Sequence, residues 1–264
     1  MAKILYIDPL GVADLTRARN YLNRRKREST ELVMLHLPRG PRHLEYRYYE
    51  ALVLVDILHL VGEAEAQGFD AAVIGCFYDI GLRAAREIAE RMPVVAPCEA
   101  SLQIAAPLGA KFSIIVGRRK WIPQMRENVI RYGMGAQLAS FKSVDLGVLE
   151  FHQDEVETAR RFRRVGREAI EADGAEVLVL GCSMTYGFFE DLQKELGVPV
   201  IDPMLAAFKM AEFAAEVGNV CGWTQSKVGG YQSPQPAEFQ AWGLDSQYDY
   251  GHMGEWLRKA GARS

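Results

Sequence analysis

The amino-acid sequence predicts an α/β fold of two similar lobes, each a parallel sheet flanked by helices, with the active site in the cleft between them. Short runs of consecutive apolar residues alternate with amphipathic segments, a pattern typical of parallel strands connected by helices and buried on both faces. The pattern begins at Lys3 and starts again at Lys111. The two halves also match in detail, since "RMPVVAP" in the first corresponds to "GVPVIDP" in the second.

The order of elements is the same in both halves. Strands are predicted at Lys3–Asp8, Thr30–Leu37, Asp70–Cys76 and Pro93–Pro97, and again at Lys111–Gly117, Ala136–Asp145, Ala175–Cys182 and Val198–Pro203. Helices are predicted between them at Asp14–Arg27, Leu44–Gln67, Gly81–Met92, Trp121–Tyr132, Asp154–Asp173 and Phe189–Gly197. We therefore expect residues 102–208 to form the second lobe and residues 1–101 the first.

The segment after Asn219 departs from this repeat. It contains "TQSKVGGYQSPQPAEFQAWG", which is rich in turn-forming residues and long for a bare loop. Such a segment serves either as a lid or as a wrap. We expect residues from about 209 to 264 to complete the first lobe as a C-terminal wrap.

Composition excludes several classes of partner. The chain has 264 residues and a net charge of −3, so no basic field indicates nucleic acid. No apolar stretch reaches the roughly 18 residues that a membrane span needs. The N-terminal "MAKILYIDP" turns polar too early for a secretory signal, and the four cysteines form no CxxC or zinc pattern. These features predict a cytoplasmic protein with free thiols and no metal.

Two of the cysteines share a sequence frame. "AVIGCFYD" ends one apolar run at Cys76, and "VLVLGCSMT" ends the corresponding run of the second half at Cys182. Ligands of open α/β sheets bind beyond the carboxyl ends of the strands, which is where both thiols are predicted. Each also precedes a turn into a helix, whose N-terminal N–H groups would favour a thiolate.

A pair of thiols facing one substrate supports acid–base chemistry. One thiolate would remove a proton from carbon while the other thiol donates a proton from the opposite face, so that the carbon inverts without a cofactor. A single free cysteine is more often a small buried apolar residue, but a matched pair at matched strand ends favours the catalytic interpretation. Cys98 and Cys221 have no such counterpart, and we interpret both as structural.

The chain resembles the aspartate/glutamate racemase superfamily, and within it the hydantoin racemase branch. Four segments carry the resemblance in order: "VIGCFYDIGLRAARE", "APCEASLQIAAPLGAKFSII", "DGAEVLVLGCSMTYGFFEDLQKELGVPVIDPMLAAFKMAE" and "TQSKVGGYQSPQP". The resemblance implies a two-lobed, oligomeric, cofactor-independent racemase or epimerase of a small chiral amino-acid derivative. It implies Cys76 and Cys182 as opposed acid and base, and Phe77, Ser183, Met184 and Thr185 as residues that hold the substrate.

The resemblance leaves two binding residues open. The branch opens with Asn-Pro-Asn followed by Ser or Thr, whereas this chain has "DPLG" from Asp8. Asp8 either binds substrate, where an ionised carboxyl only accepts hydrogen bonds, or caps the first helix or turn. Glu99 matches a glutamate of the family and either holds a substrate nitrogen or caps the next helix.

Other functions remain possible at this stage. The same fold supports decarboxylation and cis–trans isomerisation, although decarboxylases of the superfamily keep only the second cysteine. A protein of another class, a small-molecule sensor with inert thiols, would show the same pattern. In each case we expect a small-molecule ligand, no nucleic acid, no membrane and a homo-oligomer.

Overall fold

The computed structural model describes residues 1–11 and 13–261, with the side chain of Tyr250 left out. The chain packs as two units, each with its own internal contacts. Unit 1 contains Met1–Gly75, Ile80–Val95 and the chain from Phe208 onward, and unit 2 contains Cys76–Asp79 and Ala96–Ala207. The sequence placed the first boundary after residue 101, whereas the packing places it after residue 95.

Unit 1 contains a parallel sheet of four strands in the order β2-β1-β3-β4. The strands are β1 (Ala2–Gly11), β2 (Thr30–Leu37), β3 (Ala71–Ile74) and β4 (Val94–Val95). The central strand β1 buries Ile4 to Ile7 almost completely, as expected for a strand covered on both faces. The prediction of this sheet is confirmed, although β4 is shorter than the strand predicted at Pro93–Pro97.

Unit 2 contains a second parallel sheet with the equivalent order β6-β5-β7-β8. Its strands are β5 (Phe112–Val116), β6 (Leu138–Ser143), β7 (Val177–Leu180) and β8 (Val200–Ile201). In both sheets the first strand of the half lies beside the third, and the third lies beside the fourth. The internal repeat predicted from the sequence therefore exists as two sheets of the same topology.

Helices flank both sheets. Their bounds are α1 (Thr16–Asn23), α2 (Arg47–Ala66), α3 (Leu82–Ile88), α4 (Pro97–Ala105), α5 (Ile122–Arg131), α6 (Glu155–Glu171), α7 (Phe189–Leu196), α8 (Pro203–Cys221), α9 (Pro236–Ala241), α10 (Leu244–Gln247) and α11 (Tyr250–Gly261). In unit 2, α6 places Phe162, Val165 and Ala169 on one buried face, which matches the helical spacing of its apolar residues.

The segment after α8 is a wrap that holds the end of α3. Lys227 Nζ donates to the carbonyls of Arg86 at 2.7 Å and Glu87 at 3.0 Å, and Ser233 Oγ donates to the Glu87 carbonyl at 2.7 Å. These donors satisfy carbonyls that a helix C-terminus leaves without intrahelical partners. Further along, Trp256 on α11 donates to the His36 carbonyl of β2 at 2.9 Å.

Among the described residues, no helix is long and apolar enough to cross a membrane. The same part of the chain contains no group of three or more His, Cys, Asp or Glu side chains that could hold a metal ion.

Candidate active site

Cys76 and Cys182 occupy equivalent positions in the two halves. Cys76 lies two residues after β3 ends, and Cys182 lies two residues after β7 ends. Both strands are interior strands of their sheets, and both cysteines follow the carboxyl end, where ligands of such sheets bind. Neither cysteine is in a disulfide, and both are partly accessible, unlike Cys98, which is fully buried.

The glycine before each cysteine is required by the neighbouring strand. The Gly75 N–H donates to the Ile7 carbonyl of β1 at 2.8 Å, and a β-carbon added at Gly75 would lie 2.4 Å from the Tyr6 ring. The Gly181 N–H donates to the Ile115 carbonyl at 2.7 Å, and a β-carbon there would lie 3.0 Å from the same carbonyl. The shared Gly-Cys frame therefore lets the strand end lie close to its neighbour just before the thiol.

Cys76 begins a tight turn that ends at Asp79. The Asp79 N–H donates to the Cys76 carbonyl at 2.9 Å, and Asp79 has φ of 53°, a conformation that Asp and Asn tolerate better than most residues. Asn128 on α5 donates to the Tyr78 carbonyl inside the turn at 2.8 Å. Phe77 is only 2% exposed, so its side chain is buried.

The Asp79 carboxylate caps α4 from outside that helix. Its two oxygens accept the N–H groups of Cys98 and Glu99, both at 2.8 Å, and the Tyr132 hydroxyl at 2.6 Å. Burial raises the pKa of Asp79 to about 7, although these three hydrogen bonds act in the opposite direction. Glu99 lies in the first turn of α4 and is not its cap, so the capping alternative for Glu99 is wrong.

Cys98 has the properties of a structural residue. Its thiol is fully buried, and burial raises its pKa well above the ordinary value, with the nearby negative charge of Asp79 acting in the same direction. A thiol of this kind is a poor nucleophile at neutral pH. Cys221 lies exposed at the end of α8, and its interpretation as a structural residue stays a prediction.

Cys182 begins a single turn of 3₁₀-helix at Ser183–Thr185. The Thr185 N–H and its hydroxyl both donate to the Cys182 carbonyl, at 3.0 and 2.6 Å. Ser183 is 8% exposed and Thr185 is 1% exposed, so both are largely covered. The Thr185 hydroxyl therefore stabilises the turn itself and offers a ligand only its remaining acceptor capacity.

His152 is a residue of this site that the sequence did not reveal. Its Nε2 lies 2.8 Å from the Met184 carbonyl, and its Nδ1 lies 2.7 Å from the Glu155 carboxylate. Both ring nitrogens therefore have a partner within hydrogen-bond distance. The ring also stacks on Phe188 with 5.4 Å between centroids. Nothing in the local sequence pattern identifies Met184 as the partner of His152.

The α-helices that follow the cysteines begin close to where the sequence predicts them, several residues beyond each thiol. After Cys76 the next α-helix, α3, begins only at Leu82, and after Cys182 the next α-helix, α7, begins only at Phe189. The influence of a helix terminus falls off within its first turn. The expected stabilisation of the thiolates by nearby N–H groups stays a prediction, and the residues that directly follow the thiols form local turns.

Asp8 lies inside β1 and not at a helix start. It pairs in register with His36 of β2, while α1 begins at Thr16, so the helix-capping alternative for Asp8 is wrong. Asp8 is only 9% exposed. Burial raises the pKa of Asp8 to about 7. The group is therefore poised between a neutral acid, which donates and accepts, and an anion, which only accepts.

The chain is similar to known racemases over most of its length. A family model described as Asp/Glu/Hydantoin racemase matches residues 4–211. A hydantoin racemase of Pseudomonas sp. strain NS671 is 33% identical over 238 residues, which cover 90% of this chain and 94% of that protein. A hydantoin racemase of Paenarthrobacter aurescens is 35% identical over 239 residues, which cover 90% of this chain and 99% of that protein.

A solved structure has the same fold. An allantoin racemase from Klebsiella pneumoniae superposes with a TM-score of 0.82 at 29% sequence identity. The superposition covers 89% of this chain and 94% of that chain. The likeness therefore includes both sheets and both cysteine-bearing segments, and is not confined to one unit.

Proposed function

The chain belongs to the Asp/Glu/hydantoin racemase family, and from this premise we propose that it racemises a small chiral amino-acid derivative, either hydantoin-like or an amino acid, with two cysteines as acid and base. The observation that carries the proposal is the equivalence of Cys76 and Cys182: each is a partly accessible cysteine, not in a disulfide, just beyond the equivalent interior strand of its sheet. A duplicated thiol at duplicated positions fits a reaction that treats two mirror-image substrates alike.

The proposed reaction is a proton exchange at one carbon. The thiolate of one cysteine removes the hydrogen on the carbon next to a carbonyl, and the electron pair of that bond delocalises onto the carbonyl oxygen. The thiol of the other cysteine then returns a proton to the opposite face, and the two thiols have exchanged protonation states. No oxidant, reductant or cofactor enters this balance, and the roles reverse for the other enantiomer.

Backbone groups near the cysteines support substrate binding in this proposal. The amides of Phe77, Ser183 and Met184 belong to turns that internal hydrogen bonds hold in place, whereas the Thr185 N–H already donates to the Cys182 carbonyl, so Thr185 stays in the proposal as the residue that holds the turn. Donors held in this way stabilise negative charge on a carbonyl oxygen without further ordering. Glu99, which is not needed as a helix cap, stays in the proposal as a side chain for a substrate nitrogen.

A substrate panel combined with thiol mapping tests the proposal. We expect a pure enantiomer of a 5-monosubstituted hydantoin or of an amino acid to lose optical rotation when the protein is added. The same compound should slow alkylation of Cys76 and Cys182, mapped by mass spectrometry, and leave the exposed Cys221 reactive as an internal reference. Decarboxylation or alkene isomerisation without racemisation, or equal alkylation in the presence and absence of every active compound, would contradict the proposal.

Replacing Asp8 with Asn should remove a pH dependence of stability. The folded-state pKa of about 7 exceeds the usual 3.8, so the wild type loses stability as the pH rises from about 4 to 7, where the buried carboxyl must ionise. Asp8→Asn should match the wild type near pH 4 and exceed its free energy of unfolding at pH 8 by roughly 4 kcal/mol at most, since each pKa unit corresponds to about 1.36 kcal/mol. Urea unfolding at three pH values measures the difference.

Asp14→Asn is the matched control for this experiment. Asp14 is exposed and accepts the Thr16 N–H, a bond that an Asn side chain retains, so its stability should change little at any of the three pH values. If Asp8 also binds substrate, the Asn variant should change the preference across the panel. An unchanged preference would remove Asp8 from the binding residues, and an unchanged pH profile would contradict its burial as a titrating acid.

The proposal includes self-association and a cytoplasmic location. Phe213 and Val220 are seven residues apart on α8 and are 52% and 78% exposed, and Trp223 beyond the helix is 69% exposed. Apolar side chains on one face of this kind support contact with a second copy. Four cysteines with no disulfide among them fit a reducing compartment.

A further inference from the structure

Asp79 attaches the turn that carries Cys76 to two helices of unit 2. Its carboxylate holds the first amides of α4, and the Tyr132 hydroxyl at the end of α5 donates to the same carboxylate. Its backbone N–H closes the turn on the Cys76 carbonyl at 2.9 Å. A single residue therefore links the backbone of Cys76 to the start of one helix and the end of another.

His152 does the equivalent work for the turn that carries Cys182, with different chemistry. Its Nε2 holds the Met184 carbonyl at 2.8 Å, and Glu155 in the first turn of α6 holds its Nδ1 at 2.7 Å. The imidazole ring also contacts two aromatic rings. Its centroid lies 5.4 Å from that of Phe188 and 4.9 Å from that of Tyr186. The carbonyl that it holds is two residues from Cys182.

We propose that Asp79 and His152 are positioning residues, each of which fixes the turn of one cysteine and so governs proton transfer on one face of the substrate. The inference rests on the proposed two-cysteine mechanism and adds a division of labour to it. Each residue acts through the backbone of a turn at a distance of two or three residues from the thiol. A displacement of about 1 Å at a reacting group can cost as much as about 10²-fold in rate.

Two near-isosteric variants separate positioning from packing. Asp79→Asn keeps the size and the tolerance for a positive φ, but it places an NH₂ group against donors that need an acceptor. His152→Phe keeps the aromatic ring against Phe188 and Tyr186 and removes both nitrogen atoms. Tyr132→Phe removes only the hydroxyl bond to Asp79 and should have a smaller effect than Asp79→Asn.

Hydrogen exchange in heavy water distinguishes a positioning role from a purely structural one. A purely structural role would not slow exchange of one enantiomer more than exchange of the other. The two enantiomers have equal free energies, so kcat/KM for racemisation must stay equal in both directions for any variant. Exchange of the substrate hydrogen does not share this constraint. We expect Asp79→Asn to slow exchange of the enantiomer that depends on Cys76 by about 10- to 100-fold and the other enantiomer by less than about threefold. His152→Phe should show the reverse preference.

The assignment of each enantiomer to a cysteine comes from the alanine variants of Cys76 and Cys182. Proton NMR follows exchange, and urea unfolding confirms that each variant is folded. Equal slowing of both enantiomers by Asp79→Asn or His152→Phe, in a protein whose cysteine variants do show opposite preferences, would overturn the inference and leave the proposed function standing. An inactive wild type would count against the proposed function itself.

Thiol alkylation tests the same inference without a substrate. Asp79→Asn should change the alkylation rate of Cys76 and leave that of Cys182 within about twofold, and His152→Phe should do the opposite, because each turn is held separately. Cys221 serves as the reference in the same sample. Rates for both cysteines that match the wild type in both variants would overturn the positioning role, whatever the substrate of the enzyme is.

Discussion

Cys182→Ala should lower racemisation by about 10²–10⁴-fold, while the folded variant still exchanges the hydrogen of one enantiomer only. The variant lacks the thiol on one face, so a carbanion formed by Cys76 can regain a proton only from Cys76. That return regenerates the starting enantiomer, now labelled by solvent deuterium. Cys76→Ala should show the same loss of racemisation with exchange of the opposite enantiomer.

The experiment compares the two pure enantiomers in heavy water. Proton NMR measures loss of the signal from the hydrogen next to the carbonyl, and polarimetry measures racemisation in the same sample. Circular dichroism should show an unchanged fold, because both thiols are partly accessible and fill little of either core. Cys221→Ala is the matched control, since this exposed thiol at the end of α8 has no place in the mechanism.

The outcomes separate the mechanism from its rivals. Full racemase activity in either cysteine variant would contradict two opposed cysteines. The same enantiomer exchanging in both variants would show that the two thiols do not serve different faces. A sensor with inert thiols predicts no exchange in the wild type, and this result is also distinct.

The sheets could be predicted from the sequence because their signal is local. Each central strand is a run of consecutive apolar residues, such as Ile4 to Ile7 or Val177 to Leu180, and its burial on both faces requires such a run. Because the second half of the sequence repeats the pattern of the first, the second sheet could be predicted from the first. The lengths of the outer strands β4 and β8 were overestimated. The prolines and apolar residues around each strand are equally compatible with the segment that leads into the next helix.

The candidate site could be predicted only where its residues adjoin a strand. Cys76 and Cys182 follow apolar runs, so their positions follow from the strands. Asp79 meets Tyr132 across 53 residues of chain, and His152 meets the Met184 carbonyl across 32. No periodicity or propensity encodes such pairs, because they depend on which helix starts and turns the fold brings together. The helix-capping alternative for Asp8 failed because β1 continues past Asp8 and Pro9 to Gly11.

Gly75→Ala should be the more disruptive of two equivalent substitutions. A β-carbon at Gly75 would lie 2.4 Å from the Tyr6 ring and 2.9 Å from the Ile7 carbonyl, and Tyr6 is only 1% exposed. At Gly181 the nearest atoms would be 3.0 Å away, at Ile114 and Ile115. Overpacking of a core costs about 1–3 kcal/mol, and more where the neighbour cannot move.

We therefore expect Gly75→Ala to lower the free energy of unfolding by about 3 kcal/mol or more and Gly181→Ala by about 1–2 kcal/mol, measured by urea titration. Gly251→Ala is the control, because a β-carbon there meets no atom within 4 Å and Ala favours the helix α11. Since Gly75 immediately precedes Cys76, the strain should also displace that thiol. Its alkylation rate should change in Gly75→Ala, while that of Cys182 stays near the wild-type value. A Gly75→Ala variant as stable as the wild type would contradict close packing of β3 against β1 as the reason for glycine in the Gly-Cys frame.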